Sequence, residues 1–214
     1  MIIAFEGVDG VGKSTIINGL VDRLIADGEK YVICDSFPST QLGYDLEWHL
    51  KNDELDWQTE AHIFALARRQ IFTDFIVPNY EDSIVILDRF IDSSYVYQGL
   101  YNEGLKGYEI VRQINEPTLN DMYNFGIKVD LTFYITGDIG EVLDRLMSRG
   151  ADYELKYDLV KISELYDIYY SYFNIDNEVK FIDNTKLPLD KSVDKIYKEI
   201  KKLKRGGHTN GETA

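Results

Sequence analysis

The feature that most constrains the fold is a glycine-rich run near the N-terminus, Gly7-Val8-Asp9-Gly10-Val11-Gly12-Lys13-Ser14-Thr15. An apolar, β-rich run precedes it directly, and a stretch with helical periodicity follows. Strand, loop and helix in this order form a phosphate-binding loop (P-loop), because glycines let backbone N–H groups turn toward phosphate oxygens while a lysine reaches the terminal phosphates. A hydroxyl at the next position takes a place on Mg²⁺. The run therefore predicts a nucleotide site whose contacts are Gly7, Gly10, Val11, Gly12, Lys13, Ser14 and Thr15, with Ser14 also on the metal.

The alternation of apolar runs with helical patterns predicts the fold class. Segments with helical periodicity separate five apolar, β-rich runs, which predicts an α/β protein of the P-loop NTPase fold. Its sheet would have five parallel strands with helices on both faces. The strands are predicted at 2–6, 31–35, 83–87, 130–135 and 179–183, and the helices at 13–27, 41–51, 57–79, 92–101, 107–123, 139–149, 158–174 and 189–204.

Length and composition bound the organisation and the partners. The 214 residues suit one domain, predicted at 1–205, followed by a small polar tail at 206–214 that we expect to be disordered. The net charge of −14 disfavours a nucleic acid polymer, which needs a broad basic face. A small phosphorylated ligand needs only a few cations in one cleft. The basic run at 201–205 is interpreted as a helix end that complements the helix dipole.

Cysteine usage and hydropathy predict the compartment. The chain has one cysteine, Cys34, which cannot form an internal disulfide and favours a reducing environment. No apolar run approaches the length of a membrane span, and the N-terminus lacks the pattern of a signal peptide. These features predict a cytoplasmic protein with no membrane partner.

A pair of opposite charges follows the third predicted strand. Asp88 and Arg89 stand at its carboxyl end, which is the edge where open α/β sheets bind ligands. Such a pair is also found as a simple local ion pair, but the P-loop favours a functional interpretation. Asp88 is then predicted to hold Mg²⁺ with Ser14, and Arg89 to bridge the donor and acceptor phosphates with its fixed fork.

Two predicted helices carry side chains suited to a nucleoside. In the helix after Arg89, a hydroxyl, an aromatic ring and an amide fall on one face at i, i+3 and i+4. In the third predicted helix, Phe64 and Arg68 share a face and offer a ring for stacking and a guanidinium for a carbonyl or phosphate. The alternative for this second pair is a core phenylalanine beside a solvated arginine. The first set is Ser94, Tyr97 and Gln98.

Together these motifs resemble those of the thymidylate kinase family. Residues 5–15 look like its P-loop, including the acid at Asp9, and residues 88–99 look like its Asp-Arg-Tyr motif with the helix that follows. Phe37-Pro38 resembles the turn after the second strand, and Phe64 with Arg68 matches the base-binding helix. The resemblance spans residues 1 to about 200. It implies a homodimeric enzyme that uses ATP and Mg²⁺ to phosphorylate dTMP.

The resemblance also implies roles for individual residues. Asp9 would accept a hydrogen bond from the 3′-hydroxyl of the acceptor, Phe64 would stack on the pyrimidine, and Arg68 would bind thymine O4. The serine and glutamine of the helix after Arg89 would address the base edge, and its tyrosine would crowd the 2′ position and favour deoxyribose. The implied substrate-binding set is Asp9, Phe37, Pro38, Phe64, Arg68, Arg89, Ser94, Tyr97, Gln98 and Tyr157.

A lid over the transferring phosphoryl would fall near residues 145–158. Because the family carries a basic residue either in the P-loop or in the lid, and position 10 is glycine, the lid would supply the cation. The implied catalytic set is Lys13, Asp88, Arg89, Arg145 and Arg149.

Two departures from the family pattern concern the acceptor. The Pro turn, residues 35–40, carries no cation, so the acceptor phosphate is expected to bind Arg89, Arg68 or Arg69 instead. The lid is short and poor in cations. An alternative acceptor is therefore another deoxynucleoside monophosphate or a deoxynucleoside. A more remote alternative is a nucleotide-binding switch without transfer activity, although the chain has no usable Asn-Lys-x-Asp guanine signature.

Overall fold

A parallel five-stranded sheet forms the centre of the molecule, in the order β2-β3-β1-β4-β5. The computed structural model describes residues 1–148, 159–175 and 178–207. All strand pairs within this part of the chain are parallel, which confirms the predicted fold class. Each predicted strand lies within one residue of an observed one: β1 (Ile2–Glu6), β2 (Tyr31–Cys34), β3 (Ile84–Asp88), β4 (Leu131–Thr136) and β5 (Lys180–Asp183).

Helices cover both faces of the sheet because the strands alternate their side chains. Ile3 and Phe5 of β1 belong to one apolar cluster, whereas Ile2 and Ala4 belong to the other. Both clusters are buried, which matches the apolar run at residues 2–5 of this strand. The helices are α1 (Lys13–Ala26), α2 (Gln41–Asn52), α3 (Trp57–Ile71, continued by a π-helical turn Phe72–Ile76 and Val77–Asn79), α4 (Ile91–Ser94, continued by a π-helical segment Tyr95–Leu100), α5 (Tyr101–Asn124), α6 (Ile139–Ser148), α7 (Leu159–Phe173) and α8 (Leu189–Gly207).

Two helix boundaries differ from the predicted ones by more than one residue. The predicted break between residues 101 and 107 is a kink within one helix, where Glu103 and Gly104 leave helical φ/ψ values. The last helix continues to Gly207 rather than ending at 204, because a glycine costs only about 1 kcal/mol in a helix and does not by itself end a long one. Of the predicted tail, residues 208–214 lie outside the described part of the chain.

A close backbone contact fixes the segment that follows β3. A Cβ atom added to Gly107 of α5 would lie 2.2 Å from the Gly99 carbonyl oxygen. Neither backbone can move away cheaply, since α5 and the π-helical segment pack along each other. Only glycine therefore fits at position 107, and the contact holds the residues before Gly99 against α5.

This contact predicts a large loss of stability for Gly107→Ala. We expect the free energy of unfolding in urea to fall by about 3 kcal/mol, the size typical of overpacking against fixed atoms. Gly28→Ala, just after α1, is the matched control, because a Cβ there meets nothing within 4 Å although its φ is +68°. That φ alone costs about 1–2 kcal/mol. Equal losses for the two variants would show that the Gly99 contact is not tight.

Candidate active site

The P-loop joins β1 to α1 in a conformation that requires its glycines. Gly7, Gly10 and Gly12 have φ values of 142°, 77° and 98°. A Cβ atom would lie 2.4 Å from the Ile135 carbonyl oxygen at Gly7 and 2.4 Å from the Asn184 side chain at Gly12. No side chain caps the first turn of α1. The backbone N–H groups of that turn therefore remain available to an anion, as in phosphate sites at helix N-termini.

Lys13 is folded back onto this loop. Its Nζ donates to the Gly7 and Val8 carbonyl oxygens at 3.0 and 3.1 Å, and the residue is 7% exposed. Burial, followed by the nearby charge of Arg89, lowers the pKa of Lys13 to about 8. An anion bound at the loop would favour the charged amine and offer it a stronger acceptor than two carbonyls.

The predicted metal pair meets across the edge of the sheet. Ser14 Oγ donates to Asp88 Oδ2 at 3.3 Å. A hydroxyl and a carboxylate are oxygen ligands of the kind Mg²⁺ prefers. In the described ranges no group of three or more His, Cys, Asp or Glu side chains is placed to hold a metal. The pair thus fits an ion that takes its other ligands from phosphate and water, as Mg²⁺ usually does.

Arg89 stands between the P-loop and the neighbouring cavity. Its φ of 74° is the one positive value at a non-glycine residue in the described chain. Its Nη2 pairs with Asp9 Oδ1 at 2.6 Å, and the Tyr97 hydroxyl donates to Asp9 Oδ2 at 3.0 Å. Burial opposes ionisation of Asp9, but the charges of Arg89 and Lys13 outweigh it and lower the pKa of Asp9. The Asp9–Arg89 pair is therefore charged at neutral pH.

A cavity of about 300 Å³ opens beside this pair. Pro38 is not among the residues that line it, because its carbonyl oxygen faces α2 and accepts the Thr40 N–H at 2.7 Å. Tyr157 lies outside the described residues. The other eight predicted substrate-binding residues all line the cavity: Asp9, Phe37, Phe64, Arg68, Arg89, Ser94, Tyr97 and Gln98.

Arg68 lines the cavity and is buried, with 5% exposure. Its Nη1 donates to Asn115 Oδ1 at 2.8 Å, and its Nη2 donates to Ser94 Oγ. Burial lowers the pKa of Arg68 to about 10, which still leaves it charged at neutral pH. Its guanidinium lies 5.9 Å from the centre of the Phe64 ring. The alternative of a solvated arginine beside a core phenylalanine is therefore wrong.

The segment that carries Tyr97 and Gln98 is π-helical rather than α-helical as predicted. A π turn adds a residue to the local repeat, and such turns occur frequently at functional sites. Asn102 supports the segment, since its Nδ2 donates to the carbonyl oxygens of Tyr97 and Gln98 at 3.0 and 2.9 Å. Ser94, Tyr97 and Gln98 nevertheless all face the same cavity, as their spacing predicted.

Several cavity residues were not among the predicted site residues. Asp35, Ser36, Glu47 and Ser93 also line the cavity. Burial, then the charges of Asp88 and Glu47, raise the pKa of Asp35. The side where a Pro-turn cation was missing is thus acidic rather than merely neutral. The sequence of residues 35–40 already showed that the Pro turn has no cation. That Glu47 of α2 lies close to this turn depends on the fold.

The three cations proposed to replace the missing one have different surroundings. Arg89 and Arg68 line the cavity, whereas Arg69 is not among its lining residues and pairs with Asp121 of α5. Arg145, at the start of the predicted lid, pairs with Glu141 at 3.3 Å. Its Nη1 also lies 4.0 Å from the Cβ position of Gly12, so it reaches the P-loop. Arg149 lies outside the described residues.

Comparison with known proteins agrees with this geometry. The family model described as thymidylate kinase matches residues 5–196, which is most of the chain.

This chain belongs to the thymidylate kinase family.

Relatives and a solved structure agree with that membership. The thymidylate kinase of Thermoanaerobacter sp. (strain X514) is 39% identical over 153 residues, covering 70% of this chain and 72% of its own length. The thymidylate kinase of Thermosipho africanus (strain TCF52B) is 30% identical over 206 residues, covering 95% and 96%. A crystal structure of thymidylate kinase from Ehrlichia chaffeensis aligns with a TM-score of 0.67 at 25% identity, covering 94% of this chain and 98% of that one. The family resemblance read from the sequence motifs is therefore confirmed.

Proposed function

We propose that this protein transfers the γ-phosphoryl group of ATP to dTMP and releases ADP and dTDP. The observation that carries the proposal is the junction at Arg89 and Asp9. One side of this pair faces the P-loop lysine, and the other faces a cavity that eight predicted substrate-binding residues line. Membership of the thymidylate kinase family supports dTMP as the acceptor.

In the proposed reaction the P-loop holds the triphosphate of ATP. The N–H groups of the first turn of α1 and the Lys13 amine bind its phosphates, and Ser14 with Asp88 would hold Mg²⁺. When bound, that ion neutralises charge on the donor phosphates. The acceptor phosphate is already ionised, so no strong general base is needed, and catalysis depends on alignment and neutralisation of charge. Arg89 neutralises charge at the junction between the two substrates. Arg145 and Arg149, which belong to the proposed lid at 145–158, add further positive charge.

The cavity holds the thymidine moiety in this proposal. Phe64 stacks on the base while Phe37, whose ring centre lies 5.1 Å from that of Phe64, closes the same side. Arg68 donates to thymine O4, a role that fits its complete burial beside polar partners. Asp9 and Tyr97 face the sugar, where the carboxylate accepts from the 3′-hydroxyl and the tyrosine occupies the space of a 2′-hydroxyl. Ser94 and Gln98 address the remaining polar edge of the base.

We further propose that residues 1–205 form one kinase domain that works as a cytoplasmic homodimer. The helices α3 and α5 pack side by side, and large apolar side chains are exposed on them and directly after α5: Leu66 is 54%, Tyr123 85% and Phe125 55% exposed. Apolar patches of this kind mark protein–protein contacts more often than free surface. In the described ranges, no helix has both the length and the hydropathy needed to span a membrane. Sedimentation of the wild type and of Leu66→Glu tests the dimer.

An acceptor panel tests the proposed substrate. With ATP and Mg²⁺ in an ADP-release assay, we expect dTMP to give a higher kcat/KM than dUMP, dGMP or thymidine. The phosphate of dTMP gives Arg89 a partner that thymidine lacks. Its pyrimidine is smaller than the purine of dGMP, and its 5-methyl group buries apolar surface that dUMP, which shares O4, does not offer. Thymidine outperforming dTMP would instead favour a deoxynucleoside kinase. Tight nucleotide binding with no ADP formed from any acceptor would favour a switch.

The low pKa of Lys13 predicts proton uptake when ATP binds. Free Lys13 loses its proton as the pH rises through about 8, whereas phosphate beside Nζ raises the pKa again. Calorimetry at about pH 8.5, in buffers with different ionisation enthalpies, should therefore show uptake of a fraction of a proton per ATP. The uptake should vanish at about pH 6.5, where the amine is already protonated. Uptake that persists unchanged in Lys13→Met would assign it to another group.

A further inference from the structure

Behind Arg89 lies a buried polar cluster that the proposed reaction does not use. It consists of Glu6 at the end of β1, Ser93 of α4 and Tyr169 of α7, which we call the anchor triad. Glu6 and Tyr169 are 0% exposed and Ser93 is 7% exposed. Burial of a carboxylate costs free energy unless both of its oxygens accept hydrogen bonds. The groups that donate to Glu6 therefore indicate its role.

One oxygen of Glu6 holds the backbone next to Arg89. Glu6 Oε1 accepts the Phe90 N–H at 2.7 Å. Phe90 directly follows Arg89, whose φ is 74°. An arginine adopts this conformation only when its surroundings enforce it. Glu6 thus stabilises the turn that aims the Arg89 side chain.

The other oxygen of Glu6 holds the Arg89 side chain through Ser93. The Ser93 hydroxyl donates to Glu6 Oε2, and the Tyr169 hydroxyl lies 2.6 Å from Ser93 Oγ. Arg89 Nη1 donates to Ser93 Oγ at 3.1 Å and to the Tyr169 oxygen at 3.2 Å. Because a guanidinium only donates, both hydroxyl oxygens accept from Arg89. The Tyr169 hydroxyl also lies 3.3 Å from Glu6 Oε2, so its proton goes either to Ser93 or directly to Glu6, and Glu6 is the final acceptor of the cluster.

The two nitrogens of the Arg89 fork therefore have different surroundings. Nη1 points into the anchor triad, whereas Nη2 points to Asp9 and Tyr97 at the cavity. The Asp9 side chain is 36% exposed, against 15% for Arg89. In the proposed reaction Asp9 turns to the 3′-hydroxyl of the acceptor, so Nη2 must change partner while Nη1 stays fixed.

We propose that Glu6, Ser93 and Tyr169 are positioning residues that hold Nη1 of Arg89. With Nη1 fixed, the guanidinium keeps its orientation while Nη2 exchanges Asp9 for the acceptor phosphate. The inference rests on the proposed function only in taking Arg89 as the ligand of that phosphate. Misplacement of such a group by about 1 Å costs on the order of a hundredfold in rate, so a fixed anchor has a large effect.

The test combines Tyr169→Phe and Ser93→Ala with Arg89→Ala in double-mutant cycles. Tyr169→Phe removes one oxygen and keeps the ring, whose contacts with Tyr134 and Phe173 maintain the core. Tyr172→Phe is the control, because it removes a partly buried hydroxyl of the same helix, which donates to Asp92 at 2.7 Å rather than to Arg89 or its partners. The readouts are dTMP affinity by calorimetry, kcat with ATP and dTMP, and ATP affinity.

We expect Tyr169→Phe and Ser93→Ala each to weaken dTMP binding and lower kcat by about tenfold, with ATP affinity unchanged. In the Arg89→Ala background the same substitutions should have effects within about twofold, because the group they position is gone. Tyr172→Phe should match the wild type.

Losses of equal size with and without Arg89, or no loss in the wild-type background, would overturn the inference. Calorimetry with dTMP needs no turnover, so the cycle remains decisive if the enzyme is inactive. Wild-type protein that binds dTMP in an Arg89-dependent way and forms no dTDP would overturn the proposed function alone.

Discussion

Lys13→Ala is expected to lower kcat for dTDP formation by about a hundredfold or more, the size seen when one electrostatic donor to a transition state is removed. The Lys13 amine is buried, and its two acceptors are loop carbonyls that can release it to phosphate. Lys13 is the first residue of α1, and its Nζ reaches the loop carbonyls from that position. Steady-state kinetics with saturating ATP and dTMP measure the loss.

Lys106→Ala serves as the control for that experiment. Lys106 pairs with Glu103 on the surface of α5, and its side chain is 75% exposed. Its removal should leave kcat and stability nearly unchanged, as for most surface ion pairs. A loss of only a few-fold in Lys13→Ala would contradict the electrostatic role given to the P-loop lysine.

Arg68→Met is expected to raise the KM for dTMP by about a hundredfold, since a buried hydrogen bond to a charged group contributes about 1.5–3 kcal/mol. Methionine fills much of the same volume but offers no donor to thymine O4. It also leaves Asn115 Oδ1 and Ser94 Oγ without their donor. The affinity for ATP should not change, because the hydrogen bonds of the Arg68 side chain go to Asn115 and Ser94 rather than to the P-loop.

Arg69→Met is the matched control, one residue along the same helix. Arg69 pairs with Asp121 and does not line the cavity, and its side chain is 42% exposed. We expect the KM for dTMP to stay within about twofold of the wild type, as for other exposed pairs. Similar KM values for the two variants would show that the Arg68 guanidinium does not contact the base. Urea unfolding of both separates loss of recognition from loss of fold.

The sequence predicted those parts of the site that rest on local pattern. The P-loop glycines follow from the backbone they must adopt, and the strands follow from runs of apolar residues. Asp88 and Arg89 were placed correctly at the sheet edge because parallel strands bring their carboxyl ends together. The spacing of Ser94, Tyr97 and Gln98 predicted a shared face, although the helix type was wrong.

Neighbouring residues with the same chemistry were harder to separate. Arg68 and Arg69 were both predicted as contacts of the acceptor phosphate, although only Arg68 belonged to the predicted substrate-binding set; the first lines the cavity and the second pairs with α5. Helical periodicity places consecutive residues about 100° apart, but it does not say which direction faces a cavity. That choice depends on where α5 packs against α3.

The order of residues along the chain thus determined which phosphate-binding groups lie at the sheet edge, because a P-loop is a local motif of strand, turn and helix. Only the tertiary structure decided how Arg89 is held, since Tyr169 comes 80 residues after Arg89 and Glu6 163 residues before Tyr169. Hydrogen bonds over such separations leave no periodic pattern in a sequence. They form only when the packed core brings β1, α4 and α7 to the same point.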